Sequence, residues 1–374
     1  MKIGIDARMY GVGFTGIGRY TAELIEQLSK QDTENEYVLF MRKEAFQDFQ
    51  LPGSRFKKVI ADFKHYSFGE QFGFSTLLKK EKLDLMHFTH FNAPVFYNRP
   101  FVVTIHDLTL SFFPGKKMTR FFHRTAYHWV INNVTKKAKK IIAVSQHTKK
   151  DLIETLKVPE GKISVVYNGV TAKFGGTEPT SRPEMMKELG LSKPYFLYTG
   201  VWRDHKNIVG LIKAFAKFNE GVGRQYELVI TGPHNPTYHE VPDTVKELGA
   251  EDDIHLVGLV SEENIYALYL NALAYVFPSF YEGFGLPPLE AMQCGTPVIA
   301  SNVSAVPEVC GEGNALFFDP YSIDDMTAKM KQVVADPSLR QKLIDNGKER
   351  VKFFSWEKMT AEVLDIYSKT LING

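Results

Sequence analysis

Two carboxylates eight positions apart, Glu282 and Glu290, stand in the stretch FPSFYEGFGLPPLEAMQCGTPVIAS, residues 277–301, around a Gly-Phe-Gly turn and a Pro-Pro pair. The run AYVFPS before them reads as a strand and FYEGFGL as the loop after it. Pro287 and Pro288 suit the first turn of a helix, whose leading N–H groups have no intrahelical partner in any case. Gly283 and Gly285 free the backbone for close approach, so their loop can offer N–H groups to phosphate and sugar. Glu290 is expected in the first helical turn, where the positive end of the helix dipole keeps a carboxylate ionised and able to accept two hydroxyl hydrogen bonds. Two acids a loop apart would then grip hydroxylated groups on either side of a diphosphate.

The cations that such a ligand needs lie upstream. YTGVWRDHKN ends another apolar run and places Arg203, His205 and Lys206 ahead of a helix begun by Asn207. Lys serves a diphosphate as a point charge and Arg as a fork, so no metal is required, and no D-x-D magnesium motif stands at a strand end. In the first half, FVVTIHDLTL and HFTHFNAP put His106-Asp107 and His90 with Asn92 directly after apolar strands. Polar residues there are expensive in a core and useful in a cleft, and His106 is the one expected in a site. For Ser145 in AVSQHT and Asn168-Gly169 in VYNGV, capping and turn roles compete with ligand contact. His65, His123 and His128 are expected to be ordinary surface or core residues.

Near the start, Gly11, Gly13 and Gly16 match the dinucleotide pattern G-x-G-x-x-G, with Gly18 following, ahead of a helix expected near Ile17. Five residues, Asp6 to Tyr10, separate the strand from the first Gly, and no acid follows YVLFM at the ribose position, although Arg42-Lys43 would suit a 2′-phosphate. A glycine loop whose Gly16 and Gly18 amides meet a phosphate at a helix N-terminus fits better, with a purely structural turn as the alternative.

These residues require sheets to hold them. KIGID, YVLFM, KVIA, DLMHF, FVVTIH, KIIAVS and ISVVY form one series of candidate strands; YFLYTG, YELVITG, IHLVG, AYVFPS, PVIAS and ALFFDP form a second. Helix-length amphipathic segments alternate with them, one being Asn207–Phe218 with Ile208, Leu211, Ile212 and Phe215 on one face. That alternation predicts an α/β protein of two doubly wound, Rossmann-like domains, with ligands beyond the carboxyl ends of the strands and a cleft where the domains face each other. The expected domains are residues 1–172 and 173–356, joined by a linker within Thr171–Met185, with a final helix over 357–374 packing back on the first.

The 374 residues, 44% apolar and 24% charged, are globular in composition and sufficient for two cores. Cys294 and Cys310 are too few for a disulfide framework or a four-cysteine zinc site and are expected to be small buried residues. No signal peptide or membrane span is visible, so a cytoplasmic protein is expected. The net charge of +2 conceals an asymmetry: residues 1–180 hold 27 Lys and Arg against 17 Asp and Glu, the remainder 18 against 26. The stretch GKKMTRFFHRTAYHWVINNVTKKAKK mixes Lys116, Lys117, Arg120, Arg124, Lys136, Lys137, Lys139 and Lys140 with Phe121, Phe122 and Trp129. It points to an anionic membrane surface, with a solvated helix over an aromatic core face as the alternative. No nucleic acid partner is expected.

Taken together, TGIGRY, TIHD, AVSQHTKKDL, VVYNGV, Lys206-Asn207, VSEENIYALY, EGFGLPPLEAMQCGTPVIAS and FSWEKMTAEVLDIY resemble the GT4 family of retaining glycosyltransferases with the GT-B fold, across nearly the whole chain. The most specific element is the E-x7-E pair. The resemblance implies that Glu290 binds the ribose hydroxyls of a nucleotide sugar and Glu282 lies by the donor sugar. It puts the amides around Phe284, Gly285 and Leu286 beside sugar and diphosphate, Lys206 on the diphosphate, and the base near Val260. Its Arg follows the strand-end Gly more directly than Arg203 follows Gly200, so Arg203 is the looser correspondence. His106 falls near the transferred sugar, and Gly16 and Gly18 in the glycine loop. Catalysis would need no cofactor or metal, the departing phosphate taking the acceptor proton. The style of the first half resembles enzymes that use GDP-mannose to extend surface polysaccharides or glycolipids, with UDP-hexoses as the next choice of donor and a glycan or lipid-linked acceptor. An enzyme at the inner face of a membrane is the matching location. Competing expectations are a phosphorylase with pyridoxal cofactor, a sugar-nucleotide epimerase, a non-catalytic sugar-nucleotide-binding subunit and an NADP oxidoreductase.

Overall fold

Strands covered on both faces by crossover helices are buried throughout and read as unbroken apolar runs. All thirteen runs are strands in the computed structural model, which describes residues 1–11, 15–63, 67–116, 121–170 and 179–372. Two compact units emerge, Met1–Gly169 with Ser355–Gly374, and Val170–Phe354. In the first, β1 (Lys2–Asp6), β2 (Glu36–Met41), β3 (Phe56–Ile60), β4 (Leu85–Phe88), β5 (Phe101–Ile105), β6 (Lys140–Ala143) and β7 (Ile163–Val165) form a parallel sheet in the order β3-β2-β1-β4-β5-β6-β7. In the second, β8 (Tyr195–Thr199), β9 (Glu227–Thr231), β10 (Ile254–Gly258), β11 (Ala274–Phe277), β12 (Val298–Ser301) and β13 (Leu316–Phe318) form another, ordered β10-β9-β8-β11-β12-β13. Strand order reverses between β1 and β4 in one sheet and between β8 and β11 in the other. Such reversals open a crevice at the carboxyl ends of the strands.

Each unit has its own core. Phe40, Phe74, Met86, Val103 and Ile141 anchor the first; Phe196, Leu211, Phe215, Val276 and Met330 anchor the second. The helix Ile208–Glu220 buries Ile208, Leu211, Ile212 and Phe215, the face expected from their spacing.

The closing helix Trp356–Ile372 belongs to the first unit, packing on the helix Thr15–Gln31. Trp356, Met359, Val363, Ile366 and Tyr367 form its buried stripe, and burying each is worth about 1.5–3 kcal/mol before ordering entropy is subtracted. Tyr367 Oη meets His87 Nδ1 at 2.6 Å. Where the chain returns, a Cβ at Gly169 would lie 2.3 Å from the Trp356 backbone nitrogen, so only glycine lets the two segments pass.

Two expectations need correction. The stretch Thr171–Met185 is not linker throughout: residues 171–178 lie outside the described residues, but Arg182–Glu188 is a helix that buries Met185. With only one side chain facing the core, it shows no apolar period. The helix expected near Ile17 begins at Thr15, which puts Gly16 and Gly18 inside its first turn.

Candidate functional site

In the second unit the crevice between β8 and β11 is lined by the turn after each strand. The turn after β8 is a short 3₁₀ segment, Asp204–Lys206, closed by Asn207 in the left-handed region at φ 54°. Asn207 Nδ2 donates to Pro278 O at 3.1 Å and Pro320 O at 2.9 Å, and Phe280 N donates to His205 O at 2.7 Å. The loop after β11 is thereby fastened to the turn after β8. Lys206 Nζ then lies 2.6 Å from Glu282 Oε1, with 16% and 12% of the two side chains exposed. The Phe277 ring lies beneath the ammonium at 5.7 Å. Glu282 N donates to Ser304 Oγ at 2.9 Å, so this amide is engaged by the protein itself.

Gly285, at φ 101°, caps the helix Leu286–Gln293. Of the four leading positions, Pro287 and Pro288 carry no N–H, which leaves the Leu286 and Leu289 amides as the donors of that helix end. Phe284 buries its ring edge-on against Phe354 at 5.7 Å. Glu290 is the fifth helical residue and therefore lies in the second turn; counting from Pro287 displaced it in the sequence reading. Its Oε2 also accepts a bond from the protein, from Tyr269 Oη at 3.1 Å. Tyr269 also bonds Thr199 Oγ1 at 2.8 Å, and Tyr275 Oη lies 3.2 Å from the same hydroxyl.

The expected trio of cations becomes two. His205 is buried, and burial followed by the charges of Lys206 and Arg203 lowers its pKa to about 2, so it is neutral and acts as part of the scaffold. Arg203 is exposed, on extended backbone. Val260 is half-buried in the loop after β10, next to the exposed Leu259, ahead of the helix Glu262–Asn271 that Ser261 caps. Cys310 is buried and Cys294 half-buried; burial pushes both thiols up to about 12.

In the first unit, His106 follows β5, and its Nε2 donates to Thr89 O at 2.8 Å, which fixes the proton on Nε2. Burial pushes its pKa below the ordinary value, against the opposing pulls of the Thr89 carbonyl and Asp107, so the ring is neutral near pH 7. Tyr20 packs edge-on against it at 4.9 Å. Gly16 lies one turn before Tyr20 on the same helix, which brings the described part of the glycine segment near His106. Gly13 lies outside the described residues. Behind them, Tyr20 Oη and His87 Nε2 both meet Thr104 Oγ1, at 2.9 and 2.8 Å. Ser145 is a helix cap, accepting from Thr148 N at 3.0 Å, and Asp107 holds the next turn by accepting from Thr109 N at 2.8 Å.

The crevice between β1 and β4 holds a cluster that sequence reasoning missed. Arg8 is buried and forks onto Asp6, with Nε–Oδ1 at 2.8 Å and Nη2–Oδ2 at 2.7 Å; it also pairs with Glu70 and stacks on Phe74 at 4.1 Å. Asn92 Nδ2 donates to Glu70 Oε1 at 2.7 Å. Burial opposes the guanidinium charge, but Asp6 and Glu70 outweigh it and raise the Arg8 pKa. The available signal was the Asp-Ala-Arg at the carboxyl end of the first strand. Among the described residues no group of three or more His, Cys, Asp or Glu is arranged to hold a metal, and no helix is long and apolar enough to cross a membrane.

Two family models match the chain: Glycosyltransferase Family 4 over residues 14–174 and Glycosyl transferases group 1 over residues 181–350. O-antigen chain mannosyltransferase B of Escherichia coli is 29% identical across 98% of this chain and 99% of its own length. O-antigen chain mannosyltransferase RfbU of Salmonella typhimurium is 29% identical across 65% of this chain and 63% of its own. Among solved structures, a sucrose-phosphate synthase from Thermosynechococcus elongatus superposes with a TM-score of 0.81 at 22% identity over the full length of both chains. HepE from Anabaena, in complex with UDP and glucose, superposes at 0.78 and 17% identity over 99% of this chain and 100% of its own. At such identities the structural likeness establishes the fold, two Rossmann-like units of the GT-B class.

Proposed function

The chain belongs to the GT4 family of glycosyltransferases, and we propose that it moves a mannosyl group from GDP-mannose, with retention and without a metal, onto a surface glycan or lipid-linked acceptor. The observation that carries this reading is the Lys206–Glu282 pair at the strand-order reversal of the second sheet, with Glu290 on the following helix. The crevice combines a cation for a diphosphate with carboxylates for hydroxyl groups. The mannosyltransferase names of the bacterial relatives support the choice of sugar.

In the proposed reaction the bond from the sugar C1 to the phosphate oxygen breaks while the acceptor oxygen bonds C1 on the same face. The acceptor proton passes to the departing phosphate. The protein's contribution is electrostatic: Lys206, Arg203 and the Gly285 and Leu286 amides stabilise the leaving diphosphate, and Glu282 faces the developing positive charge on the sugar. His106, neutral and fixed by Thr89, is the first-unit group assigned to the transferred sugar by the family resemblance, with the Gly16 and Gly18 amides in the first turn of the helix whose Tyr20 packs on that ring. The base falls beside Val260.

A membrane surface is the proposed setting for the acceptor. Phe72, Phe96 and Trp129 are exposed, with Phe72 stacked on Phe96 at 4.9 Å and Phe96 edge-on to Trp129 at 6.3 Å. Arg124, Trp129 and Lys136 are exposed on the helix Phe121–Lys137, which also buries Tyr127, Val130, Ile131 and Val134. Lys117 and Arg120 lie outside the described residues, as do the side chains of Phe121 and Phe122.

A melting screen tests the donor. GDP at ~100 times its dissociation constant adds about 2.7 kcal/mol to the folded state, a rise of roughly 5–10 °C for units of this size, and EDTA leaves it intact. Stabilisation by UDP or NADP alone refutes the GDP reading, and loss of the shift in EDTA refutes the metal-free one.

A further inference from the structure

Tyr269 lies near the end of the helix Glu262–Asn271 and is 1% exposed. A phenol has one proton to give, and the carboxylate Glu290 Oε2 at 3.1 Å takes it. The 2.8 Å contact between Tyr269 and Thr199 must then run the other way, with the Thr199 hydroxyl donating to the phenol oxygen. Tyr275 donates its proton to the Thr199 carbonyl oxygen at 3.3 Å, with its phenol oxygen 3.2 Å from Thr199 Oγ1. The result is a chain of hydroxyls polarised toward Glu290, each bond strengthening the next. Thr199 ends β8 and Tyr275 lies within β11, the two strands that flank the crevice. The carboxylate is therefore referenced to the sheet itself as well as to its own short helix.

We propose that Tyr269 is a positioning residue for Glu290, fixing the carboxylate orientation that captures the ribose hydroxyls and so setting affinity for the nucleoside part of the donor. The inference rests on the reading of Glu290 as a ribose ligand. A glutamate side chain free to sample its rotamers loses conformational entropy when a ligand immobilises it; the phenol bond makes part of that ordering permanent. Burial, followed by the charge of Glu290, pushes the Tyr269 phenol well above its ordinary pKa, so it is a donor at neutral pH.

The test is a binding cycle with GDP and 2′,3′-dideoxyguanosine diphosphate on the full chain and on Tyr269→Phe, Glu290→Ala and the double variant. Phe keeps the ring in place, and a melting curve in the absence of ligand checks the fold. Tyr269→Phe is expected to weaken GDP about tenfold, as loss of a bond to a charged group does, to leave the dideoxy nucleotide unchanged, and to have no further effect once Glu290 is Ala. Thr199→Val, one link further back, gives a smaller loss in the same pattern and serves as the second variant if Tyr269→Phe melts early. The proposal is overturned if Glu290→Ala weakens GDP while Tyr269→Phe binds it normally, or if Tyr269→Phe weakens both nucleotides equally. If Glu290→Ala itself leaves GDP affinity unchanged, the ribose reading of Glu290 fails and takes the inference with it.

Discussion

Replacing Glu282 with Gln perturbs the Lys206 pair while keeping the shape of the side chain. The two charges lie 2.6 Å apart and are mostly shielded from water. At an effective dielectric near 20, unit charges ~4 Å apart attract by about 4 kcal/mol, of which desolvation removes much, leaving about 1.5–3 kcal/mol for a hydrogen bond between charged groups. Gln retains an acceptor and loses the charge, so the free enzyme loses about 1–2 kcal/mol of that interaction. With a diphosphate bound, the ligand supplies the missing negative charge and Lys206 loses little. Glu282→Gln should therefore bind GDP roughly tenfold more tightly, about 1.4 kcal/mol, while turning over more slowly because the charge beside the donor sugar is gone. The sequence alone suggests unchanged nucleotide affinity; the pairing across 76 positions is what alters the expectation. Calorimetric titration of GDP at low and moderate salt, beside steady-state turnover, reads both quantities, and the gain should shrink with salt because the pair is partly exposed. Weaker GDP binding by the variant would refute the reasoning, since it would mean that Lys206 needs Glu282 in order to be held against the diphosphate.

Three further outcomes follow from the geometry. Burial and the neighbouring His106 lower the His87 pKa to about 3, and burial with two cations lowers that of His205 to about 2. Both folded values lie below the unfolded one near 6.5, so the unfolded chain binds protons first. Stability is full above about pH 6.5 and falls by up to about 1.4 kcal/mol per pH unit per histidine as pH drops; urea unfolding at pH 7.5, 6 and 5 reads this, and equal stability at pH 5 and 7.5 would contradict it. Gly169→Ala drives a Cβ into the Trp356 backbone, whereas Gly161→Ala meets nothing within 4 Å. The first should lower stability by about 1–3 kcal/mol or more and expose residues near 355 to protease, the second do neither, and matching melting curves would count against the packing. Sedimentation with anionic vesicles at low salt should pellet the protein, with each cation near the surface worth about 1 kcal/mol and Phe96→Ser with Trp129→Ser weakening the effect; protein left in the supernatant would replace the membrane with a dissolved glycan acceptor.

The strands were legible because a parallel sheet buries both strand faces, so KIIAVS or AYVFPS admits no other assignment once helix-length segments flank it. The closing helix was legible for a simpler reason: its apolar stripe had no following strand to serve. The helix at Arg182–Glu188 was hidden because one buried methionine makes no pattern. At the site, Glu282, Glu290 and Lys206 stand out by residue type, but their pairings do not. Lys206 meets Glu282 through two turns fastened by Asn207, a residue whose importance rests on its left-handed backbone and two carbonyl bonds. Tyr269 and Tyr275 resemble any aromatic core residues in sequence, and only the pairing of β8 with β11, together with the helix Glu262–Asn271 that precedes β11, brings their hydroxyls together at Thr199. His205 misled because a histidine beside two cations looks ligand-facing, whereas folding buries it. Arg8 was passed over because the glycines that follow drew the assignment to themselves.

Incubation of the purified chain with GDP-α-mannose in EDTA, followed by nuclear magnetic resonance of the mannosyl product, tests donor, metal independence and stereochemistry together. GDP release with an α-configured product, abolished by Lys206→Ala, is the predicted result. A β-configured product, or an untouched GDP-mannose under conditions in which a UDP-hexose is consumed, would contradict the central claim.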